Sequence, residues 1–277
     1  MSKNKDLHQK VIWITGASSG IGEGLAYAMA QQGACLILSA RRLSELERVK
    51  AACNNPHQHV CVELDLMHSS EFEALTEKLW NEMGGIDLLV NNAGISQRDW
   101  VMNTSMDVHR KIMEINYFGS VALTQALLPH MLERAKQETV SQDIFNGGVI
   151  TISSLVGKFT TPLRSAYSAS KHAITAYMDS LRVELADSGL QFTTIYPGFI
   201  KTNLTYQALL GDGSAQNKMD HAQENGMSPD ECAKRIITAY QQGKAEAYIG
   251  GRETNAVYLK RFFPRLFERI VRKAKVT

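Results

Sequence analysis

The sequence predicts an α/β protein: a single domain built on one doubly wound parallel sheet of about seven strands, with helices on both faces. Three observations carry this. Strand-like and helix-like segments alternate along the chain. Several strand-like segments are near-continuous apolar runs, as parallel strands covered on both faces require. A glycine-rich turn separates the first apolar run from the first helical pattern.

The first strand is expected at 11–15, where Val11-Ile12-Trp13-Ile14 is wholly apolar. Strands follow at 35–40, 60–64, 88–91, 149–153, 192–196 and 247–249, and helices at 22–32, 43–54, 70–83, 106–136, 165–188 and 229–242. Alternation of this kind indicates a doubly wound sheet with right-handed crossovers. Ligands on such sheets lie at the carboxyl ends of the strands, and the motifs singled out below fall there. Three stretches break the alternation: a polar loop at 137–148, a polar glycine-bearing segment at 203–227, and the tail from Tyr258. The second follows a strand end and is expected to be a mobile cover over substrate.

The chain has 277 residues and no Pro/Gly/Ser-rich linker, which favours one domain over two. Residues of hydrophobic type make up 44%, enough for a substantial core, and the net charge of +2 gives no global bias toward nucleic acid or acidic membranes. Cys35, Cys53, Cys61 and Cys232 show no CxxC spacing, so neither a zinc site nor a disulfide framework is expected. Cys35 and Cys61 fall in apolar strands and read as core thiols. The polar first ten residues hold no apolar signal-peptide core, and a reducing cytoplasm is the expected compartment.

The chemistry is concentrated in Tyr167-Ser168-Ala169-Ser170-Lys171. Four residues apart on a helix, Tyr167 and Lys171 share a face. A phenol with a pKa near ~10 is a poor base at neutral pH, but an ammonium beside it favours the phenolate. Such a pair can exchange a proton with an alcohol or carbonyl oxygen. Ser154 precedes it by a short loop. Ser153 is adjacent, but strand alternation turns its side chain the other way. His172 points off the shared face. At the other end of the chain, Thr15-Gly16-Ala17-Ser18-Ser19-Gly20-Ile21-Gly22 has the small residues that let backbone approach a pyrophosphate, whose charge a helix N-terminus favours.

These stretches, with Asp65, Asn91-Asn92-Ala93-Gly94, Asn116, Ser153-Ser154 and Pro197-Gly198, resemble the short-chain dehydrogenase/reductase family over residues 11–251. The resemblance implies a single Rossmann-type domain that moves a hydride between NAD(P) and an alcohol or carbonyl. It implies a catalytic tetrad of Asn116, Ser154, Tyr167 and Lys171. Tyr167 would be the acid/base, and Ser154 would hold the same substrate oxygen. Lys171 would lower the Tyr167 pKa and bond the nicotinamide ribose, and Asn116 would hold a proton-relay water; the alternative for Asn116 is a buried amide satisfying a helix kink. Cofactor contacts would come from Gly16, Ser18, Ser19, Gly20, Ile21 and Gly22 of the turn. Asn92, Ala93 and Gly94 would lie along the adenosine ribose, and Asn91 would tie neighbouring strands together. Asp65, with Leu66, would meet the adenine unless it only closes a turn, and Pro197, Gly198, Ile200 and Thr202 would meet the nicotinamide amide. Homodimers or homotetramers paired through the helices at 106–136 and 165–188 are also implied.

The choice between cofactors has a physical argument. Users of NAD place an acid at the end of the second strand for the ribose hydroxyls. Here Ala40 takes that place and Arg41 and Arg42 follow. A carboxylate would repel a 2′-phosphate and a guanidinium would bind it, so NADP(H) is expected, with Arg41 the main contact and Ser39 a helper. The ending, through Gly250-Gly251-Arg252 to Phe262-Phe263-Pro264, resembles the branch of 11β-hydroxysteroid dehydrogenase and dehydrogenase/reductase member 7, and Lys158 fits it too. That implies a hydrophobic ketone, aldehyde or secondary alcohol as substrate. The competing readings are a 3-ketoacyl reductase, a non-catalytic NADP-binding regulator and a sugar-nucleotide epimerase.

In the tail, Leu259, Phe262, Phe263, Leu266, Phe267, Ile270 and Val271 recur at helical spacing among basic residues. Two readings stay open: a helix that covers its own domain or a partner subunit, and a basic amphipathic helix that lies on an anionic membrane.

Overall fold

The computed structural model describes residues 6–140 and 147–273. Seven strands form one parallel sheet in the order β3-β2-β1-β4-β5-β6-β7. They are β1 (Val11–Thr15), β2 (Cys35–Ala40), β3 (Val60–Glu63), β4 (Leu88–Asn91), β5 (Gly148–Ile152), β6 (Gln191–Pro197) and β7 (Glu246–Ile249). The helices are α1 (Gly20–Gln31), α2 (Leu43–Ala52), α3 (Phe72–Met83), α4 (Met106–Met113), α5 (Ser120–Val140), α6 (Ser165–Glu184), α7 (His221–Glu224), α8 (Pro229–Gln241), α9 (Ala256–Phe262) and α10 (Pro264–Lys273).

Both faces of the sheet are covered, which explains the unbroken apolar runs. Alternation sends Ile12 and Ile14 of β1 into one core, with Leu25 and Met29 of α1 and Ile236 of α8. It sends Trp13 into the other, with Leu79 of α3, Leu127 of α5 and Met178 of α6. Every β1 side chain after Val11 is buried, so a polar residue at any of these positions would need a partner. Trp13 has one for its single polar atom: Nε1 donates to Ser39 Oγ at 2.9 Å.

Element boundaries shift by a few residues from the sequence expectation, and three differences have physical causes. The helix expected at 106–136 is interrupted by a π-helical turn at Glu114–Gly119, between α4 and α5. No proline or glycine pair marks it: Pro129 lies a turn and more further on, inside α5. The cause is tertiary, because Asn116 in that turn bonds the backbone of Ile95. Second, α5 runs on to Val140, so the loop expected from 137 begins later; 141–146 lie outside the described residues. Third, the tail forms two helices, since Pro264 starts α10 where it would break a helix already running.

The cysteine reading is corrected as well. Cys35 and Cys61 are only half-buried on their strands, and the two fully buried thiols are Cys53 after α2 and Cys232 on α8. All four are free. Among the described residues, no helix is long and apolar enough to cross a membrane.

Candidate active site

Strands to one side of β1 and β4 wind one way and strands to the other side wind the opposite way, so a crevice opens at their carboxyl ends. Thr15 and Asn92 close its floor. Thr15 Oγ1 donates to Val90 O and accepts from the backbone N–H groups of Asn92 (3.1 Å) and Ala93 (3.0 Å). The Asn92 amide donates to Thr15 O at 2.9 Å and Gly16 O at 3.1 Å. The strand-tying role expected of Asn91 thus belongs to Asn92. Asn91 points to the opposite side, as alternation demands, and donates to Thr124 Oγ1 of α5 at 2.8 Å.

The glycine turn is shaped by the same contacts. Gly16 has φ +64, and a Cβ there would stand 2.8 Å from Ala93 Cα. A Cβ on Gly22 would stand 2.3 Å from Gly16 O. Neither position accepts a side chain without moving backbone. The turn is buttressed by Arg48 of α2, which donates to Ser18 O at 3.3 Å and pairs with Glu23 at 2.7 Å and Glu45 at 2.9 Å.

The crevice is a cleft of about 480 Å³. Of the residues singled out from the sequence, Gly16, Ser18, Ser19, Gly20, Ile21, Ser39, Arg41, Arg42, Asp65, Leu66, Asn92, Ala93 and Gly94 border one part of it. Ser154, Tyr167, Lys171, Pro197, Gly198, Ile200 and Thr202 border the rest. Gly22 and Asn116 do not border it and act from behind the wall. The Asn116 amide is fully engaged: Oδ1 accepts from Ile95 N at 2.8 Å, and Nδ2 donates to Ile95 O at 2.9 Å and Ser170 Oγ at 3.0 Å. Its side chain is therefore a brace between the loop after β4 and α6, and has no amide hydrogen to spare for a relay.

Ser39 also departs from expectation. It borders the cleft, but its hydroxyl accepts from Trp13 Nε1 and donates to Ile14 O at 3.3 Å. With both roles used inside the sheet, it is not free to help bind a phosphate. Arg41 and Arg42 are exposed, and among the described residues neither guanidinium has a side-chain partner. Asp65 accepts from Met67 N at 3.0 Å, closing the turn after β3 while bordering the cleft.

Tyr167 and Lys171 stand one turn apart on α6, both buried, with Lys171 Nζ 5.8 Å from the Tyr167 ring centre. Lys171 donates to Ile152 O, the last carbonyl of β5, at 2.8 Å. Among the described residues no carboxylate pairs with it, and burial lowers its pKa to about 8. Burial likewise raises the Tyr167 phenol; Arg164 and the hydrogen-bonded Ser154 hydroxyl pull it back down. The sequence reading gave that downward pull to Lys171 alone. In the structure the guanidinium of Arg164, 5.9 Å from the ring centre, stands beside the phenol as well as the Lys171 ammonium, which itself donates to the β5 carbonyl. Ser153 bonds Lys171 O and Thr175 Oγ1, away from the phenol, and His172 is an exposed residue bonded to Ser168 O.

Residues 203–227, expected from the sequence as a cover, fold over the cleft, with Asn203, Leu204, Gln207, Leu209 and Gln223 on its border. The individual contacts that hold them there carried no sequence signal. Leu209 exchanges backbone bonds with Ser96 and Arg98, and Gly211 N donates to Asp99 Oδ2 at 2.9 Å. Asp220 Oδ2 lies 2.6 Å from Arg98 Nη1 and 3.1 Å from Arg164 Nη2. The Arg98 contact is an ion pair by distance but is not aligned as a hydrogen bond. Burial, and then Arg164, draw Arg98 below its ordinary pKa while Asp220 holds it up. Leu163, just before Arg164, is held at φ +65, unusual for a branched residue, with its carbonyl on Asp99 N at 3.1 Å. Glu253 accepts from Phe199 N and Gly251 N, closing the loop after β6. No spacing rule pairs residues so far apart in sequence.

The comparisons agree with this architecture. The family model described as short chain dehydrogenase matches residues 10–210. A Drosophila melanogaster protein named dehydrogenase/reductase SDR family protein 7-like is 41% identical over 96% of this chain and 81% of its own length. The human dehydrogenase/reductase SDR family member 7 is 38% identical over 94% of this chain and 76% of its own. A short-chain dehydrogenase structure from Streptomyces avermitilis superposes with a TM-score of 0.78 at 28% identity, covering 95% of this chain and 98% of that one. The chain belongs to the short-chain dehydrogenase/reductase family of oxidoreductases and, within it, to the branch of the member 7 proteins.

The Asp220 cluster yields a direct test. Asp220→Asn leaves two nearby guanidinium groups, one of them fully buried, without a counter-charge, and is expected to cost about 3–5 kcal/mol in urea unfolding. A loss below about 1 kcal/mol would mean that water reaches the pair.

Proposed function

We propose that the protein is an NADP(H)-dependent oxidoreductase that interconverts a hydrophobic ketone or aldehyde and its alcohol, with Tyr167 as acid/base. The observation that carries the reading is one cleft bordered at one part by Ser154, Tyr167 and Lys171 and at another by Arg41 and Arg42, which have no side-chain partner among the described residues. A dinucleotide fits the residues present. Gly16 and Gly22 keep the cradle clear of side chains, and Ala40 leaves the end of β2 without the acid that would repel a 2′-phosphate. Arg41 would hold that phosphate, with Arg42 beside it. Asp65 and Leu66 would border the adenine, Ala93 and Gly94 the ribose, and Pro197, Gly198, Ile200 and Thr202 the nicotinamide.

When bound, the nicotinamide supplies or takes up the hydride. The chain's own residues handle the proton and the oxygen. Burial keeps Tyr167 protonated through neutrality, ready to donate to a carbonyl oxygen as negative charge develops there. Ser154 stabilises the same oxygen by a second hydrogen bond. Arg164 and Lys171 offset the phenolate left behind. Asn116 keeps Gly94–Ile95 and α6 in register so that these groups meet. Ile95, Leu204 and Leu209 on the cleft wall favour an apolar substrate.

Tyr167→Phe is expected to leave NADPH binding intact and to lower turnover by roughly 10²–10⁴-fold, read as NADPH oxidation against a panel of ketones and aldehydes. Near-normal turnover would remove Tyr167 from the chemistry. Arg41→Ala should weaken NADPH binding by about 1.5–3 kcal/mol while leaving NADH almost unchanged, read by fluorescence titration without substrate; equal losses would reduce Arg41 to a support of the fold.

The pH dependence follows from Lys171. Its pKa near 8 leaves it charged below that pH and neutral above. Reductive kcat/KM is therefore expected to be level below about pH 7 and to fall as the charged donor for the ribose and phenolate is lost above about 8. Lys171→Met should give a low rate without that limb, and a wild-type profile level to pH ~10 would contradict the assignment.

A further inference from the structure

Thr202 ends the loop after β6, and its surroundings fix how its side chain stands. The backbone leading to it is paired with the end of the segment over the cleft: Lys201 N donates to Met227 O and Met227 N to Phe199 O, both at 2.9 Å. The Thr202 methyl faces the glycine turn, where a Cβ on Gly20 would stand 3.0 Å from Thr202 Cγ2. The hydroxyl is left to face Gln223 of α7, whose Nε2 donates to Thr202 Oγ1 at 3.1 Å.

That bond has a direction. An amide nitrogen only donates, whereas a hydroxyl donates one proton and accepts on two lone pairs. The Gln223 amide is held the right way round because its Oε1 accepts from Thr205 Oγ1, and both residues are buried. Thr202 Oγ1 is therefore an acceptor here, and its own proton stays available; among the described residues no acceptor takes it. Thr202 and Gln223 both border the cleft, with Pro197, Gly198 and Ile200. The place of Gln223 is set in turn by Asp220, which precedes α7. Asp220 O accepts from Gln223 N at 3.0 Å, while the Asp220 carboxylate lies between Arg98 and Arg164.

We propose that Gln223 is a positioning residue for the cofactor: it holds the Thr202 hydroxyl as a donor turned into the cleft, for the carboxamide oxygen of a bound nicotinamide. The proposal rests on the reading that the nicotinamide lies along Pro197, Gly198, Ile200 and Thr202. A carboxamide oxygen only accepts, so it needs the proton that Gln223 leaves free on Thr202. A hydroxyl that already accepts a hydrogen bond is also a stronger donor. Because Gln223 belongs to residues 203–227, the donor is oriented only while that segment lies over the cleft. The segment then serves the cofactor as well as the substrate.

Titration calorimetry of the full-length protein without substrate tests it, with NADPH and with 2′,5′-ADP, which lacks the nicotinamide. Thr202→Val removes the donor and should weaken NADPH binding by roughly three- to tenfold, as the loss of one neutral hydrogen bond does. Gln223→Glu keeps the size of the side chain, but an ionised carboxylate only accepts. It should draw the Thr202 proton away from the cleft and weaken NADPH binding by a similar factor. Gln223→Leu brings no charge, leaves the hydroxyl unheld and should weaken NADPH binding about threefold. Each variant should bind 2′,5′-ADP within about twofold of wild type, and adding Gln223→Glu to Thr202→Val should cost NADPH no more than about twofold further. Unchanged NADPH binding in either Gln223 variant, equal losses for 2′,5′-ADP, or losses that add in the double variant would each overturn the proposal. Unchanged binding in Thr202→Val would instead overturn the placing of the nicotinamide at this loop, and the proposal with it.

Discussion

The hydrogen bonds of Thr15 and Asn92 are the constraint on which the site depends. They hold the carboxyl ends of β1 and β4 together at the point where the strand order reverses. The glycine turn leaves β1 there, and its Gly16 lies against Ala93 too closely for any side chain. The loop after β4 leaves in the other direction and is caught at Ile95 by Asn116. Neighbouring β5 ends on the carbonyl that holds Lys171. A shift of one ångström between β1 and β4 would therefore move the glycine turn relative to Tyr167 and Lys171.

Charge is distributed around the cleft with one sign in excess. Among the described residues, Lys171 is buried with a carbonyl but no carboxylate, Arg41 and Arg42 stand without side-chain partners, and Arg98 and Arg164 share the carboxylate of Asp220. Burial of such cations costs desolvation energy, which shows in the lowered pKa values of Lys171 and, in spite of its pairing with Asp220, of Arg98. Asp220 adds a mechanical role, because it joins residues 203–227 to the loops bearing Arg98 and Arg164.

The apolar pattern of the C-terminal helices is only partly covered by the domain. Their spacing places Phe267 and Val271 on the domain and leaves Leu266 and Ile270 beside them uncovered. Pro264 sets the angle between α9 and α10. A continuous helix would turn these rows differently against the domain.

The sequence by itself determined the alternating architecture, the glycine cradle, and the placing of Ser154, Tyr167 and Lys171 along one cleft. These are local properties: apolar runs define buried strands, a four-residue spacing defines a helix face, and strand alternation separates Ser154 from Ser153. Only the tertiary structure decided what each polar group bonds. It tied Asn92 rather than Asn91 to β1, spent the hydroxyl of Ser39 on Trp13, interrupted the long helix at Asn116, and set Arg164 beside Tyr167 with Asp220 as its counter-charge. The reason is that hydrogen bonds and ion pairs depend on distance in space, and, Arg164 and Tyr167 at one helix start excepted, the partners here lie tens of residues apart, where no periodicity links them.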